Sequence, residues 1–304
     1  MASPKTQIQD TLVVPILEGA HSTTPSNPAS GFSKAYFKND GNLYSLDSGG
    51  TEVIVGTGAV PSTPVVASIT NGDSPYTITP DVGTVLCNAT SGAITVNLPT
   101  AVGIPSTEYL IKKTDSTFNL VTIDGNGTET IDGALTKKLA TQNESIKVIS
   151  DGTNWQIVER RIPSEVIAFT PTGRWSTNVT WTGFWKRTGD SIRVTFKVAA
   201  TGATEVDTFA TDLPSGLTID TAKVSVENGY TSIGRAYGID ATGTDFWYEV
   251  VLGGSTTEVF TGLNRADTTY VSNNGSADNG TPFTIASGDS YGGEYTVPIT
   301  NWEG

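Results

Sequence analysis

The chain is poor in the residues that most enzymes use as nucleophiles, bases and metal ligands. Among its 304 residues there is one cysteine, Cys87, and one histidine, His21. A single cysteine excludes an intrachain disulfide, and one cysteine with one histidine cannot build a zinc cluster. Cys87 follows Val85 and Leu86 in an alternating segment, which favours a small core residue. A Ser-His-Asp or Cys-His site is therefore nearly excluded, and neither a P-loop nor a dinucleotide fingerprint is found.

Charge is also scarce, and it is mostly negative. Charged residues make up 16% of the chain, against roughly 25% in soluble domains. The net charge is −13 and the sequence pI is about 4.4. Because an acidic surface repels phosphate backbones, we expect no nucleic-acid partner, and a basic or cation-bridged partner would suit it better.

Long apolar runs are missing too. No stretch approaches 18 apolar residues, so we expect no membrane insertion. Residues 1–10 lack a basic segment followed by an apolar one, so we expect no signal peptide. We therefore expect synthesis in a host cytoplasm, with export by another route such as cell lysis if the protein acts outside the cell.

What the sequence does contain is typical of an all-β protein. Glycine is frequent, at 33 residues, and the apolar residues occur in short runs rich in Val, Ile, Tyr, Phe and Trp. This is the composition of strands joined by tight turns. Apolar residues do not recur at helical spacing for more than about one turn, which argues against long helices.

The first 30 residues are predicted to form an extended anchoring arm. Pro15 interrupts their one apolar run and excludes a helix there. A disordered tail is the alternative, but the run is very apolar for a solvated segment. The candidate anchor residues in this run are Leu12, Val13, Val14, Ile16 and Leu17.

Residues 31–57 are predicted to form a β-meander. Asn39-Asp-Gly-Asn42 is a strong hairpin signal, because Asp-Gly and Gly-Asn tolerate positive φ. A sheet of three short strands is too small to be stable alone, so several copies side by side would have to bury its apolar faces. The candidate assembly residues are Tyr36, Phe37, Leu43 and Tyr44.

Four further segments complete the predicted organisation: a linker over 58–75 with a short strand at Val65–Ile69, a middle β domain over 76–160, a joint over 161–168, and a C-terminal β-sandwich head over 169–304. The middle domain has short strands at a spacing typical of a sandwich or barrel. Five of the six tryptophans lie in the head and supply area for a core. Within the head, Val251–Thr261 and the region of Asn273-Asn-Gly275 are predicted as loops or hairpin tips.

Two kinds of residue remain as candidate functional groups. Carboxylates could in principle form a glycosidase pair, and the candidates are Asp190, Asp207, Glu227, Asp240, Asp245 and Glu249. Most of them lie beside turn residues, so we predict no catalytic residue, no cofactor and no metal ligand. Candidate sugar contacts by stacking are Trp181, Trp185, Tyr270 and Tyr291, for which core packing is the alternative role.

Three parts of the chain resemble bacteriophage fibre and spike proteins. Residues 31–55, with Lys34-Ala-Tyr-Phe-Lys-Asn-Asp-Gly-Asn-Leu-Tyr44, resemble a segment common near the front of phage fibres. Residues 84–158 resemble a module of fibres and spikes in Ala89-Thr-Ser-Gly-Ala-Ile-Thr-Val-Asn-Leu-Pro99, Glu129-Thr-Ile-Asp-Gly133 and Ser150-Asp-Gly-Thr-Asn-Trp155. The last part is similar to jelly-roll heads of the tumour-necrosis-factor or C1q type in Trp185-Lys-Arg-Thr-Gly-Asp-Ser-Ile-Arg-Val194, Leu213-Pro-Ser-Gly-Leu217 and Tyr295-Thr-Val-Pro-Ile-Thr-Asn-Trp302.

The resemblance implies a homotrimeric virion protein on a phage surface. Its N-terminal part would attach to other structural proteins of the tail or capsid, and its jelly-roll-like head would contact a host-surface glycan or protein. The chain is short and lacks coiled-coil heptads, so a head fibre on the capsid, or a decoration protein that stabilises the shell without binding a receptor, is the alternative to a tail fibre. A polysaccharide-degrading spike is the less favoured third reading.

Overall fold

The structure is a computed structural model that describes residues 24–38, 42–56, 64–225, 231–243, 245–252, 255–266, 271–278, 280–281 and 283–303. In these ranges the chain is built of strands, with two 3₁₀ turns at Asn71–Asp73 and Thr221–Lys223, so the all-β prediction is confirmed. None of the described helical segments is long and apolar enough to cross a membrane. The predicted arm with Leu12, Val13, Val14, Ile16 and Leu17 lies outside the described residues. The chain divides into two compact units, residues 1–63 and 64–304.

The first unit contains the predicted meander. Its strands are β1 (Lys34–Phe37), β2 (Leu43–Leu46) and β3 (Glu52–Gly56), and they pair antiparallel in the order β1-β2-β3. Leu46 is the one fully buried apolar side chain among the described residues of this unit. The meander is therefore present, but in the single chain it encloses almost no core.

The N-terminal half of the second unit contains nine strands: β4 (Val65–Thr70), β5 (Tyr76–Thr77), β6 (Val82–Asn88), β7 (Ile94–Asn97), β8 (Glu108–Lys113), β9 (Val121–Asp124), β10 (Thr136–Leu139), β11 (Ser145–Ser150) and β12 (Trp155–Arg161). They form two sheets, with the strand orders β12-β11-β8-β6-β4 and β10-β9-β7-β5. Inward-facing residues of both sheets share one apolar core. We call this part the middle sandwich.

The middle sandwich begins with parallel pairing. Strand β6 runs parallel to both β4 and β8, and β7 runs parallel to both β5 and β9. From β4 to β9 every connection thus passes from one sheet to the other, five times in succession. Strands β10, β11 and β12 then add to the two sheets in antiparallel fashion. Tight turns alone join neighbouring strands in antiparallel pairs, so the turn signals in the sequence could not reveal this order.

The short strand predicted at Val65–Ile69 is present as β4, but it belongs to the middle sandwich and not to a linker over 58–75. Residues Val65–Thr70 are hydrogen-bonded to β6, and Ile69 is buried in the core of the middle sandwich. The boundary between the two compact units lies between Thr63 and Pro64. A strand at the edge of a sheet needs only one partner, so a short apolar run between prolines and glycines can serve as one.

The C-terminal half of the second unit also contains nine strands: β13 (Ile167–Phe169), β14 (Val179–Thr188), β15 (Ser191–Ala200), β16 (Ala210–Asp212), β17 (Thr231–Ile239), β18 (Phe246–Leu252), β19 (Glu258–Ala266), β20 (Val271–Ser276) and β21 (Ser290–Pro298). They form one antiparallel sheet in the order β13-β14-β15-β21-β17-β18-β19-β16, with β20 beside β19. A bridge between Gly173 and Thr211 joins the segment after β13 to β16, at the opposite end of this order. The sheet therefore curls around one core, and we call it the curled sheet.

Two predicted loops of the head are wrong in part. The predicted loop over Val251–Thr261 contains the start of β19, and the Asn273-Asn-Gly275 region lies within β20. Both segments contain turn-forming residues, glycine in the first and asparagine and glycine in the second, yet each lies partly in a strand, and β19 and β20 pair antiparallel. Cross-strand pairing supplies their backbone hydrogen bonds, which outweighs the weak β-propensity of asparagine.

The middle sandwich and the curled sheet have separate cores but pack against each other. Phe118 of the middle sandwich contacts Trp185 and Trp302 of the curled sheet, with ring centroids 5.6 and 6.3 Å apart. Ala140 belongs to the core of the curled sheet, although it follows β10 in the chain. The segments predicted as a separate middle domain and head therefore belong to one compact unit.

A buried ion cluster completes this junction. Glu144, which is fully buried, forms ion pairs with Arg187 of β14 and with Arg160 of β12. Arg187 also donates hydrogen bonds to the backbone oxygens of Gly189 and Glu303, at 2.7 Å each. Burial lowers the pKa of the Arg187 guanidinium, and the charge of Glu144 opposes that shift. Residues of the middle sandwich, of β14 and of the C-terminal segment thus share one set of charges.

We expect the stability of the curled sheet to depend on pH through Glu205. Its carboxylate accepts hydrogen bonds from the Ser176 hydroxyl at 2.7 Å and the Thr177 amide at 2.8 Å, and these lower its pKa from 4.5 to about 2. Because the folded pKa lies below the unfolded one, the contribution is complete above about pH 4.5 and is lost as the pH falls towards 2. The melting temperature of the wild type should therefore exceed that of Glu205→Gln near pH 6, and the gap should close below pH 4. A gap that stays constant down to pH 2.5 would contradict this assignment.

Candidate functional site

Two of the predicted sugar contacts are core residues. Trp185 is 7% exposed and Tyr291 is 1% exposed. The ring of Tyr291 lies 5.3 Å from Trp175 and 5.2 Å from Phe209, so other aromatic rings cover it. The stacking role predicted for Trp185 and Tyr291 is therefore wrong, because neither presents a ring face on which a sugar could lie.

Trp181 is half-buried and is held in place by the same aromatic cluster. Its ring stacks on Phe209 at 5.8 Å, and its indole N–H donates to the backbone oxygen of Trp175 at 3.0 Å. These contacts orient Trp181 towards the core of the curled sheet rather than towards solvent. Tyr270, the fourth predicted contact, lies outside the described residues.

Three of the six candidate carboxylates have local structural partners. Asp190 accepts a hydrogen bond from Lys223 at 2.8 Å, which lowers its pKa. Asp207 pairs with Arg174 at 3.3 Å, and Asp240 accepts a hydrogen bond from the amide of Thr242. Glu227 lies outside the described residues. In the part of the chain that the structure describes, no three His, Cys, Asp or Glu side chains are grouped so that they could hold a metal ion.

The predicted assembly residues come together on the meander. The rings of Tyr36 and Tyr44 stack with centroids 6.0 Å apart, and the Lys38 ammonium lies 4.4 Å from the centroid of Tyr44. Phe37 and Leu43 pair directly across β1 and β2, and both are half-buried. The sequence therefore identified a real cluster, although nothing in the described residues of this unit closes over it.

Strand β3 adds exposed apolar residues on both faces of the meander. Val53 is 55% exposed and Ile54 is 49% exposed, and as neighbours in a strand they point to opposite faces. Phe32, just before β1, is exposed as well. A three-stranded sheet with apolar side chains on both faces has the features of an assembly surface.

A second surface of interest is the outer face of the curled sheet. Along β15, Ile192, Val194 and Phe196 point into the core while the residues between them point outwards. The same alternation in β14, β17 and β21 continues this exposed surface across four strands. We call it the outer face, and its larger side chains are Phe184, Lys186, Arg193, Thr195, Lys197, Arg235, Tyr237 and Glu294.

Glu294 lies at the centre of the outer face, between two arginines. The strand register places Thr195 on one side of Glu294 and Arg235 on the other. Glu294 forms an ion pair with Arg193 through one carboxylate oxygen and with Arg235 Nε through the other, at 3.5 Å. The hydrogen bond from Arg193 is the main cause of the lowered pKa of Glu294. The carboxylate therefore remains charged and orients both guanidinium groups.

Two open grooves flank this central charge group. One, of about 400 Å³, is lined by Thr195, Arg235, Tyr237, Gly293 and Glu294, together with Phe196 and Ala236. The other, of about 430 Å³, shares Arg235 and Glu294 with it. Gly292 makes room for Tyr237 here, because a Cβ at this position would collide with the Tyr237 ring. The outer face thus carries a trough in which charged side chains lie beside apolar surface and the ring of Tyr237.

The trough continues to an apolar rim at the edge of the curled sheet. A third groove, of about 190 Å³, is lined by Val166, Phe184, Trp185 and Lys186, and it shares Arg193 and Thr195 with the other two. Val166 and Phe184 are exposed large apolar residues. Together the three grooves form one continuous surface that combines cations, hydroxyl groups and apolar groups.

Reasoning from the sequence missed the central residues of this surface. Arg193 could have been placed on an outer face, since the alternation in Ser191–Ala200 is clear. The grouping of Arg193 with Arg235 and Glu294 could not have been predicted, because the three residues lie on strands that are far apart in the chain. The sequence instead indicated large aromatic residues as sugar contacts. Burying their large apolar area is favourable, which explains why Trp185 and Tyr291 lie in the core.

Comparison of the sequence with protein-family models gave no match, and comparison with curated proteins gave none either.

Proposed function

We propose that this chain is a structural protein of a phage particle, a homotrimeric fibre or spike. Its N-terminal part joins other virion proteins of the tail or capsid, and its curled sheet contacts the host surface through the outer face. The observation that carries the assembly part of the proposal is the meander with its exposed apolar faces. The resemblance to phage fibre proteins supplies the number of copies.

The meander supports assembly because it cannot be stable by its own packing. Its described residues contain a single fully buried apolar side chain, Leu46. A three-stranded sheet needs an apolar face packed on something for stability. Val53 and Ile54 leave both faces apolar, and burying one such side chain contributes about 1.5–3 kcal/mol. Neighbouring copies of the same sheet would cover these faces.

The proposed contact with the host surface is supported by the composition of the outer face. The outer face combines grooves, cations and an aromatic ring. Binding requires only such a surface, held on a rigid scaffold. The packed junction between the middle sandwich and the curled sheet supplies that rigidity.

We expect the full chain to have three times its single-chain mass of 31.9 kDa in light scattering after size exclusion. The double variant Val53→Ser/Ile54→Ser should need at least a tenfold higher protein concentration to assemble, because it removes apolar area that neighbouring copies cover. The matched control is Val206→Ser, since Val206 is 89% exposed in a loop of the curled sheet. Its trimer should be as stable as that of the wild type.

A wild-type monomer that remains monomeric at all concentrations would overturn the proposal. Phage particles assembled without this chain would distinguish a fibre from a decoration protein. Loss of adsorption to cells would support the fibre. Loss of heat resistance with unchanged adsorption would support a stabilising decoration protein instead.

A further inference from the structure

We propose that the outer face binds an acidic polysaccharide, with Arg193 and Arg235 contacting its carboxylate groups and Tyr237 supporting a sugar ring. This inference deepens the proposed host contact and rests on it. It is carried by the distribution of charge, by the geometry of the two arginines and by the trough between them.

The outer face reverses the charge of the rest of the protein. The chain has 31 acidic residues against 18 lysines and arginines. On the outer face of β14, β15, β17 and β21, however, four cations accompany a single carboxylate, that of Glu294; the cations are Lys186, Arg193, Lys197 and Arg235. An acidic protein that concentrates cations beside open grooves is complementary to an anionic partner there and repels it elsewhere.

The two arginines are held in place yet remain accessible. Arg235 uses Nε for its ion pair with Glu294, and its side chain is 77% exposed. Arg193 is 46% exposed at the other carboxylate oxygen. A guanidinium binds a carboxylate with two parallel hydrogen bonds and remains charged at all relevant pH values. Since Glu294 already orients both groups, less side-chain entropy is lost when a ligand binds.

The trough fits a sugar chain rather than an isolated ion. Tyr237 lies over Gly292, and Gly293 forms part of the groove lining beside it. An aromatic ring with a polar tip can pack on the apolar face of a sugar while its hydroxyl reaches a neighbouring polar group. The three grooves adjoin one another through Arg193, Thr195 and Arg235. A continuous, open path of this kind suits an extended polymer.

The test is binding of the full chain to polygalacturonate, with dextran as the neutral polymer and polyglutamate as a carboxylate polymer without sugar. We expect binding to polygalacturonate alone. The binding should weaken strongly at an ionic strength of about 1 M, where the screening length is about 3 Å. Arg193→Gln/Arg235→Gln should weaken it at least tenfold.

The matched control is Lys147→Gln/Arg161→Gln. It also removes two cations from exposed ion pairs, with Glu108 and Glu165, but on the middle sandwich. This variant should bind polygalacturonate within twofold of the wild type. Equal losses in both variants would overturn the site, equal binding of polyglutamate would overturn the sugar specificity, and absence of binding by the wild type would overturn the inference.

Two further variants keep the test valid if the double arginine variant does not fold. Lys197→Gln and Tyr237→Ser each change one exposed or half-buried outer-face residue, and each should weaken binding severalfold with an unchanged melting temperature. Unchanged binding in both would contradict the proposal. A loss of trimer mass in the arginine variant would mean that the outer face is instead an interface between copies.

Failure of this inference is distinguishable from failure of the proposed function. A trimer that binds no acidic polysaccharide leaves the virion proposal intact and removes only the ligand. A monomer that binds polygalacturonate through Arg193 and Arg235 leaves the ligand site intact and removes the trimeric fibre.

Discussion

Replacing Glu144 by glutamine is expected to lower the free energy of unfolding by about 3–5 kcal/mol, because it leaves the buried Arg187 without its counter-charge. Both side chains are essentially inaccessible to water in the ion pair. A charge removed from water is stable in a protein only when a partner compensates for the lost hydration. Loss of the carboxylate also removes the ion pair of Arg160 at 3.1 Å, although Arg160 keeps a second one with Glu303 at 3.5 Å.

Glutamine is the informative replacement because it preserves most of the other contacts. The Glu144 side chain accepts hydrogen bonds from the amides of Ala140 at 2.7 Å and Thr141 at 3.2 Å. The amide oxygen of glutamine can accept the same bonds, so the measured loss reports the charge together with the acceptor that Arg160 loses at the other oxygen. The double variant Glu144→Leu/Arg187→Met removes both charges and should be less destabilised than Glu144→Gln alone.

Urea unfolding followed by far-UV circular dichroism, at one fixed protein concentration, measures these differences. Lys147→Gln is the control, because it breaks an exposed ion pair with Glu108 and should cost less than about 1 kcal/mol. A Glu144→Gln protein as stable as this control would mean that water reaches the cluster and that the junction depends on its apolar contacts.

Truncating Trp175 to alanine should cost about 3–5 kcal/mol, which is the range for large aromatic residues in a core. Trp175 is 1% exposed, and its ring contacts Phe209 edge-on at 4.8 Å. Its indole N–H donates to the backbone oxygen of Asp207 at 3.0 Å. Alanine would leave a cavity between Phe209 and Tyr291 and a carbonyl without its donor.

Trp181→Ala is the matched comparison. Trp181 contacts the same Phe209 and also donates its indole N–H to a backbone oxygen, but it is only half-buried. Its truncation should therefore cost clearly less than that of Trp175, by at least about 1 kcal/mol for the smaller area returned to water. Equal losses would mean that Trp181 is buried by another chain in the assembly, which concentration-dependent unfolding would reveal.

Local features of the fold were readable from the sequence because they depend on neighbouring residues. The pairs Asp132-Gly133 and Asp151-Gly152 favour turns, and turns are present there, with φ of +76° at Gly133 and +93° at Gly152. Glycine lacks a Cβ and adopts positive φ without a steric penalty, so Asp-Gly pairs mark turns reliably. The alternation of Ser191–Ala200 likewise matches the full length of β15.

Other strands escaped prediction because their partners are distant in the chain. Thr136–Leu139, with two lysines among four residues, carries little strand signal, yet it pairs with β9 as an edge strand. Strand β20 contains two asparagines and a glycine and pairs with β19. In both cases cross-strand hydrogen bonds and packing outweigh weak local propensity.

The sequence by itself determined the all-β class, the positions of turns and the meander. These follow from composition and from contacts between near neighbours. Tertiary structure alone decided the parallel order of the middle sandwich, the burial of Trp185 and Tyr291, and the meeting of Arg193, Glu294 and Arg235. Each of those depends on which strands lie side by side, and strand register is set by packing across the whole sheet rather than by any one segment.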